Sequence, residues 1–186
     1  MYLLDTDHIS ILQLASGSEY SDLAERMSEL QLSVDDLAFS VVSFHEQVLG
    51  AHTFISRARG AGDVVRGYRL LGEILGGFSA APVLPFDAAA AAVFDDLRGL
   101  RIRVATMDLR IAAIALSRGL VLVTRNVSDF GRVPGLITEK WTLLAQHHRT
   151  FTRPEVGFLS HLRSCLTLSA LNHRPPFPDP RCAHSR

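Results

Sequence analysis

At 186 residues the chain has room for one domain with a sizeable core, with or without an appendage. Apolar residues make up 47% and charged residues 20%, which excludes an intrinsically disordered chain, and the longest apolar runs, such as Ala88–Phe94, are too short and too alanine-rich to span a bilayer. Formal net charge is zero, yet residues 1–145 carry 13 Arg or Lys against 17 Asp or Glu, whereas residues 146–186 carry 6 against 2. The body is therefore mildly acidic and does not grip nucleic acid by bulk charge.

The opening MYLLDTD lacks the basic region, apolar stretch and small-residue cleavage site of a secretory leader. Both cysteines, Cys165 and Cys182, sit near the C-terminus and form no disulfide framework. The expected location is the reducing cytoplasm, with no membrane association.

Tyr2–Leu4 reads as a short apolar strand ending at Asp5, with Thr6 and Asp7 as helix-cap residue types. A helix continues through Ile9–Leu14, the Gly17 region breaks it, and Ser18–Leu30 is amphipathic, with Tyr20, Leu23, Ala24 and Met27 at helical spacing. Leu37–Val42 is the next strand. A long helical region runs from Ser43 to about Leu75, broken near Gly60–Gly62 and ended at Gly76–Gly77. Val83–Leu84 is a third short strand. Asp87 then caps an alanine-rich helix that reaches Leu97 and stops at Gly99.

The densest pattern follows, from Arg101 to Phe130. A helix with the small apolar face Ile111, Ala112, Ile114 and Ala115 turns at Gly119 into the apolar strand Leu120–Val123. Leu136–Thr138 is a last edge strand. Alternating strands and helices predict a parallel α/β sheet over residues 1–145. Residues 146–186 differ: they are rich in Pro, His and Arg, with one short helix expected at Val156–Leu171 and a disordered end. The spacing of the His and Cys residues there fits no common zinc pattern.

Four carboxylates fall at element ends: Asp5, Glu46, Asp108 and Asp129. In α/β sheets the loops beyond the strands' carboxyl ends bind ligands. Each acid also has a plainer reading. Asp5 starts a helix, Ser43-x-x-Glu46 has the form of a capping box, Asp108 suits a helix dipole, and Asp129 fixes a turn. Caps do not explain all four together. Clustered acids raise one another's pKa unless a cation neutralises them. Mg²⁺ is commonly held by one or two carboxylates with waters and substrate phosphate, and a bound metal activates water for phosphodiester hydrolysis.

The strings LLDTDHIS (3–10), SVVSFHEQVLG (40–50), TMDLRIAAIALSRGL (106–120) and VTRNVSDFGRVPGL (123–136) resemble the PIN-domain ribonucleases, specifically the VapC-type toxins of toxin–antitoxin pairs. The resemblance covers roughly residues 1–141. It implies a three-layer PIN-like α/β fold with a mostly parallel sheet of about five short strands. It also implies a metal-dependent endoribonuclease, with Asp5, Glu46, Asp108 and Asp129 as the acidic quartet and Asp5 and Asp108 as direct ligands of Mg²⁺ (or Mn²⁺). Thr124 and Asn126 fall where the family places a polar residue near the metal or the scissile phosphate, and Arg125, like Arg110, lies close enough to the expected site to contact a phosphate or a partner. An RNA substrate, a cognate antitoxin and a homodimer belong to the same expectation. Asp7 stands where relatives often have Asn, and the extension after residue 145 lies outside the family pattern.

Two other functions remain open at this level. A PIN-like module that pairs with a partner without turning over keeps the fold and loses the chemistry. Asp5-x-Asp7 is also similar to the strand-end pair of haloacid-dehalogenase-type phosphatases, but their mechanism wants a basic residue before a late acidic pair. Here the one lysine, Lys140, follows Asp129.

Overall fold

Leu3 and Leu4 show how the layers arise. On consecutive strand residues, side chains point to opposite faces; Leu3 enters one apolar cluster and Leu4 the other, both fully buried. Leu122 and Val123 divide in the same way, as do Ala38 and Phe39. A sheet buried on both faces needs helices on both sides, and a run of near-continuous apolar residues is the signature of its strands.

The structure, a computed structural model, describes residues 1–79 and 81–142. In chain order the elements are β1 (Tyr2–Leu4), α1 (Thr6–Leu14), α2 (Ser18–Glu29), a 3-10 turn (Val34–Asp36), β2 (Leu37–Ser40), α3 (Val41–Ser56), α4 (Ala61–Phe78), β3 (Val83–Leu84), α5 (Ala88–Gly99), α6 (Thr106–Ser117), β4 (Val121–Val123), α7 (Val127–Phe130) and β5 (Thr138–Glu139). The strands form one sheet in the order β3-β2-β1-β4-β5, and every pairing is parallel. The sequence predicted a mostly parallel sheet. No helix among the described residues is long and apolar enough to cross a membrane. The short helix expected at Val156–Leu171 and the disordered end lie outside the described residues.

One face of the sheet is covered by α5 and α6, whose Phe94, Leu97, Ile111, Ala112, Ala113 and Ile114 join Leu3 and Leu122. The alanines let α6 lie close, as the sequence pattern suggested. The other face carries α1, α2 and the α3–α4 hairpin, through Ile9, Leu12, Leu23, Met27, Ala51, Ile74 and Phe78. Phe78 packs edge-on against both Phe39 and Phe44, with ring centroids 5.4 and 5.2 Å apart.

Several boundaries differ from the sequence reading, for local reasons. Strand β2 stops at Ser40, because the Ser40 side chain accepts a hydrogen bond from the Ser43 N–H and caps α3 three residues earlier than expected. Helix α1 begins at Thr6, capped by Asp5. Gly99 lies inside α5, and it is Arg101 beyond it that takes the left-handed conformation, with φ of 52°. The last strand is Thr138–Glu139, shifted from Leu136–Thr138 because β5 pairs with β4 through Leu122↔Thr138 and Val123↔Glu139.

Helices α3 and α4 meet closely at Gly67. A Cβ there would drive into the Ile55 side chain and crowd Phe54. Gly67→Val is therefore expected to push the hairpin apart and lower stability by about 1–3 kcal/mol, the usual cost of overpacking, read by thermal or denaturant unfolding. An unchanged midpoint would show that the two helices need no close approach.

Candidate active site

β1 and β4 are neighbours in register, Leu4 opposite Val123, so the next residues, Asp5 and Thr124, emerge side by side at the sheet's carboxyl end. The Asp5 backbone N–H donates to the Val123 carbonyl at 3.0 Å and continues the ladder by one step. The Thr124 hydroxyl donates to Asp5 Oδ2 at 2.7 Å, and the Thr6 N–H donates to Asp5 Oδ1 at 2.8 Å. Asp5 does cap α1, as the plainer reading held, but that contact occupies one oxygen only. The residue is 8% exposed.

Glu46 is not part of a capping box. Ser43 lies inside α3, so Glu46 falls in the helix's second turn, and its Oε2 accepts the Thr6 hydroxyl at 2.5 Å. Thr6 thus joins Asp5 and Glu46, a role its sequence position signalled only as a cap type. Farther along the same seam, Gln47 exchanges hydrogen bonds with Gln13, both at 3.0 Å, and donates to Ser10 at 3.2 Å. These contacts pin α3 to α1 and fix where Glu46 stands.

Asp108 lies in the first turn of α6 and is half-buried. Asp129, on the one-turn α7, accepts from the Asn126 side-chain amide at 3.0 Å and pairs with Arg132 at 3.3 Å. Asn126 in turn donates its backbone N–H to the Thr124 hydroxyl oxygen at 3.0 Å. A chain of polar contacts therefore runs from Asp5 through Thr124 and Asn126 to Asp129.

The charges are coupled. Burial pushes the Asp5 carboxyl up to about 6, the Asp7 and Asp108 charges add to it, and the hydrogen bonds from Thr124 and Thr6 oppose it. Burial also raises Asp108, followed by the charges of Glu46, Asp129 and Asp7. The acids thus share an electrostatic neighbourhood. Among the described residues, however, no three His, Cys, Asp or Glu side chains converge as a ready-made chelating group.

Arginines are distributed unevenly over this neighbourhood. Asp129 has Arg132, and Asp7 has Arg125, whose Nε and backbone N–H both reach Asp7 Oδ2, at 3.2 and 3.0 Å. Arg125 also pairs with Glu19 at 2.6 Å. Burial alone would raise Asp7, but the contacts with His8 and Arg125 outweigh it and hold its carboxyl below the ordinary value. Asp5, Glu46 and Asp108 have no ion-pair partner among the described residues. Asp7 and Asp129 thus each have an arginine beside them, and the other three acids have none among the described residues. A hard divalent cation fits that donor set, since Mg²⁺ needs only one or two carboxylates and fills its octahedron with waters and phosphate oxygens.

No family model matches the chain. The tRNA(fMet)-specific endonuclease VapC of Salmonella typhimurium is 30% identical over 144 residues, which span 75% of this chain and 97% of that relative. The chain belongs to the VapC family. A second relative, the tRNA(fMet)-specific endonuclease VapC of Shigella flexneri, is 44% identical over 78 residues; that match takes in 40% of this chain and 59% of the relative. Among solved structures, DNA-bound VapBC from Salmonella typhimurium contains a chain 27% identical to this one, with a TM-score of 0.58 over 75% of this chain and 97% of that one. The five-stranded parallel sheet with helices on both faces is the PIN-like fold of that VapC structure, and the chain is a nuclease of the toxin–antitoxin type.

In this VapC-family site the Thr124 hydroxyl donates to Asp5 and accepts from Asn126. Thr124→Val keeps the shape and removes both contacts. It is expected to lower stability by about 1–3 kcal/mol and, with a donor to the carboxylate gone, to raise the Asp5 pKa further. The acid limb of the pH–activity profile then moves to higher pH. Thr124→Ser, which keeps the hydroxyl, is expected to behave like the native protein, and a profile that does not move in Thr124→Val would break the link between the two residues.

Proposed function

We propose that the chain is an endoribonuclease, hydrolysing RNA phosphodiester bonds with Mg²⁺ (or Mn²⁺) held by Asp5 and Asp108. The observation that carries this reading is a trio of acids: a buried Asp5 with its carboxyl pushed up to about 6, beside Asp108 and Glu46, with no basic side chain among the described residues pairing with any of them. The bound ion supplies charge neutralisation at the phosphate and lowers the pKa of a water toward that of a usable nucleophile.

The protein's own residues do the rest. Thr124 and Thr6 hold Asp5 in one rotamer, and Thr6 holds Glu46, so both carboxylates are oriented before substrate arrives. Glu46 and Asp129 add their negative charge beside Asp108, with Asn126 fixing Asp129. Arg125, held by Asp7 and Glu19, presents a half-exposed guanidinium at the edge where a phosphate would pass. RNA is the substrate class in the names of the VapC relatives, and tRNA(fMet) is the target named for two of them. The partner that restrains this activity is inferred to be a cognate antitoxin, since the solved neighbour is a VapBC complex. A homodimer and a cytoplasmic location complete the reading; the exposed apolar stripe Val65, Tyr68 and Leu75 on α4 supports a protein contact. Residues 1–145 are assigned as the nuclease domain and 146–186 as an extension to it.

Cleavage of total RNA is expected to require Mg²⁺ or Mn²⁺, and Asp5→Ala and Asp108→Ala are each expected to abolish it and the growth arrest it causes. Cleavage that survives both substitutions, or chelation of divalent ions, would remove the reading.

Stability should follow the same charges. Asp5 is disfavoured as a carboxylate in the fold, so its contribution is greatest below its ordinary value of 3.8 and is lost as pH rises through about 6. Keeping it ionised costs the metal-free protein on the order of 3 kcal/mol above that pH. Mg²⁺ is therefore expected to raise the melting temperature at pH 7.5 and to have much less effect at pH 5. Asp108→Asn is expected to stabilise the metal-free protein at pH 7.5 but not at pH 3.5, and to weaken the response to Mg²⁺. Equal Mg²⁺ responses at both pH values would separate these acids from ion binding.

A further inference from the structure

Beside the acidic site lies a second feature that the hydrolytic chemistry does not use. A pocket of about 380 Å³, inside the range of small-ligand sites (about 300–1,000 Å³), is lined by Val41, Val42, His45, Phe86, Met107 and Arg110. Five of its six lining residues come from the starts of α3 and α6, the helices that carry Glu46 and Asp108, and Phe86 comes from the segment between β3 and α5. Val42 stands one turn before Glu46 on α3 with His45 adjacent to it, and Met107 and Arg110 flank Asp108 on α6. The pocket therefore lies within about one turn, along both helices, of Glu46 and Asp108.

Its chemistry is that of a flat, apolar ring system attached to an anion. Val41, Val42 and Met107 are aliphatic or thioether surfaces, and His45 and Phe86 supply aromatic faces. Phe86 is held by an edge-on contact with Phe94, ring centroids 5.8 Å apart. Arg110 is steadied without being neutralised. Its Nη1 donates to Met107 Sδ at 3.2 Å and its guanidinium lies 5.6 Å from the Phe94 ring centroid, yet it pairs with no carboxylate among the described residues. Arg125 and Arg132, by contrast, are both already paired.

We propose that this pocket is a nucleobase subsite: it receives one unstacked base of a single-stranded RNA segment next to the cut phosphate, while Arg110 contacts the adjoining backbone phosphate. Unpaired bases splayed onto aromatic side chains and Arg planes are the usual means of reading single-stranded RNA. The same chemistry would place the cut in a loop and not within a duplex, whose bases are not free to enter. This inference rests on the ribonuclease reading above and adds to it the element that selects the cut position.

The test uses the full chain, Mg²⁺ and an RNA oligonucleotide containing one mapped cut. Two further oligonucleotides carry an abasic ribonucleotide, one on the 5′ side and one on the 3′ side of that phosphate. One of the two is expected to be cut about tenfold less efficiently than the intact RNA, chiefly through a higher KM. The variant His45→Ala, Phe86→Leu is expected to cut intact RNA about tenfold less well and to be indifferent to the abasic change. Arg110→Gln is expected to raise KM for the intact and abasic RNAs alike. If the native protein cuts both abasic RNAs as well as the intact one, or if His45→Ala, Phe86→Leu keeps the full abasic penalty, the subsite is wrong and the nuclease reading stands. The native-protein comparison decides the matter even where that variant fails to fold. If intact RNA is not cut, or Asp5→Ala cuts it equally, the nuclease reading fails and the subsite fails with it.

Discussion

The hydrogen bond from the Thr124 hydroxyl to Asp5 is the contact on which the rest of the site is hung. It joins the carboxyl ends of two central strands, β1 and β4, at the one point where a parallel sheet offers an open crevice. A carboxylate 8% exposed, near two other acids, is an unfavourable thing to build. The fold tolerates it because the Asp5 oxygens are met by donors: a hydroxyl from the neighbouring strand, and the first amide of the helix that Asp5 itself caps. Those donors ease the burial without neutralising the charge, which leaves Asp5 oriented and electrically unsatisfied.

The other acids are placed by the fold's layering. Because β2 ends at Ser40, α3 starts there and turns Glu46 toward α1, where the Thr6 hydroxyl receives it. Because α6 packs on the sheet through a face of alanines and isoleucines, its first turn carries Asp108 up beside the strand ends. Three elements distant in sequence thus deliver one charge each to one end of the sheet, and the stability of both cores holds them there against their mutual repulsion. Preorganised but repelling groups are a common property of sites that bind a cation.

Much of this is legible in the amino-acid sequence. Strands β1 and β3 and helix α2 stand within a residue of where their apolar spacing placed them, because buried strands and amphipathic helices are written in side-chain periodicity. The resemblance of four short strings to VapC-type toxins named the fold and the family, and both hold. What spacing could not supply was the competition between caps. Ser40 and Ser43 are equally good cap residues, and only the pairing of Ser40 with Leu84 across the sheet decides that the strand stops at the first. The bridging role of Thr6 depends on that same start of α3, so it too was hidden. Arg125 illustrates a different limit. A lone Arg beside a phosphate site reads as a phosphate or partner contact, while its pairing with Asp7 and Glu19, which come from helices folded over it, is not written in the linear order. Three-dimensional charge pairing leaves little trace in linear order.

That pairing also separates two kinds of acid that the sequence cannot tell apart. Asp7, Glu19 and Asp129 each have an arginine within 3.3 Å, and such exposed or half-exposed pairs shape a rim without much net energy. Asp5, Glu46 and Asp108 have hydroxyl or amide donors, or the shared crevice, and no arginine among the described residues. Had the fold served only to seal the end of the sheet, the buried Asp5 would be the first position to receive a basic partner, since an uncompensated internal charge is the more costly arrangement. Arginine is instead spent on the periphery. That distribution is the one expected under the proposed function, in which the positive charge for Asp5, Glu46 and Asp108 would be supplied by a divalent ion.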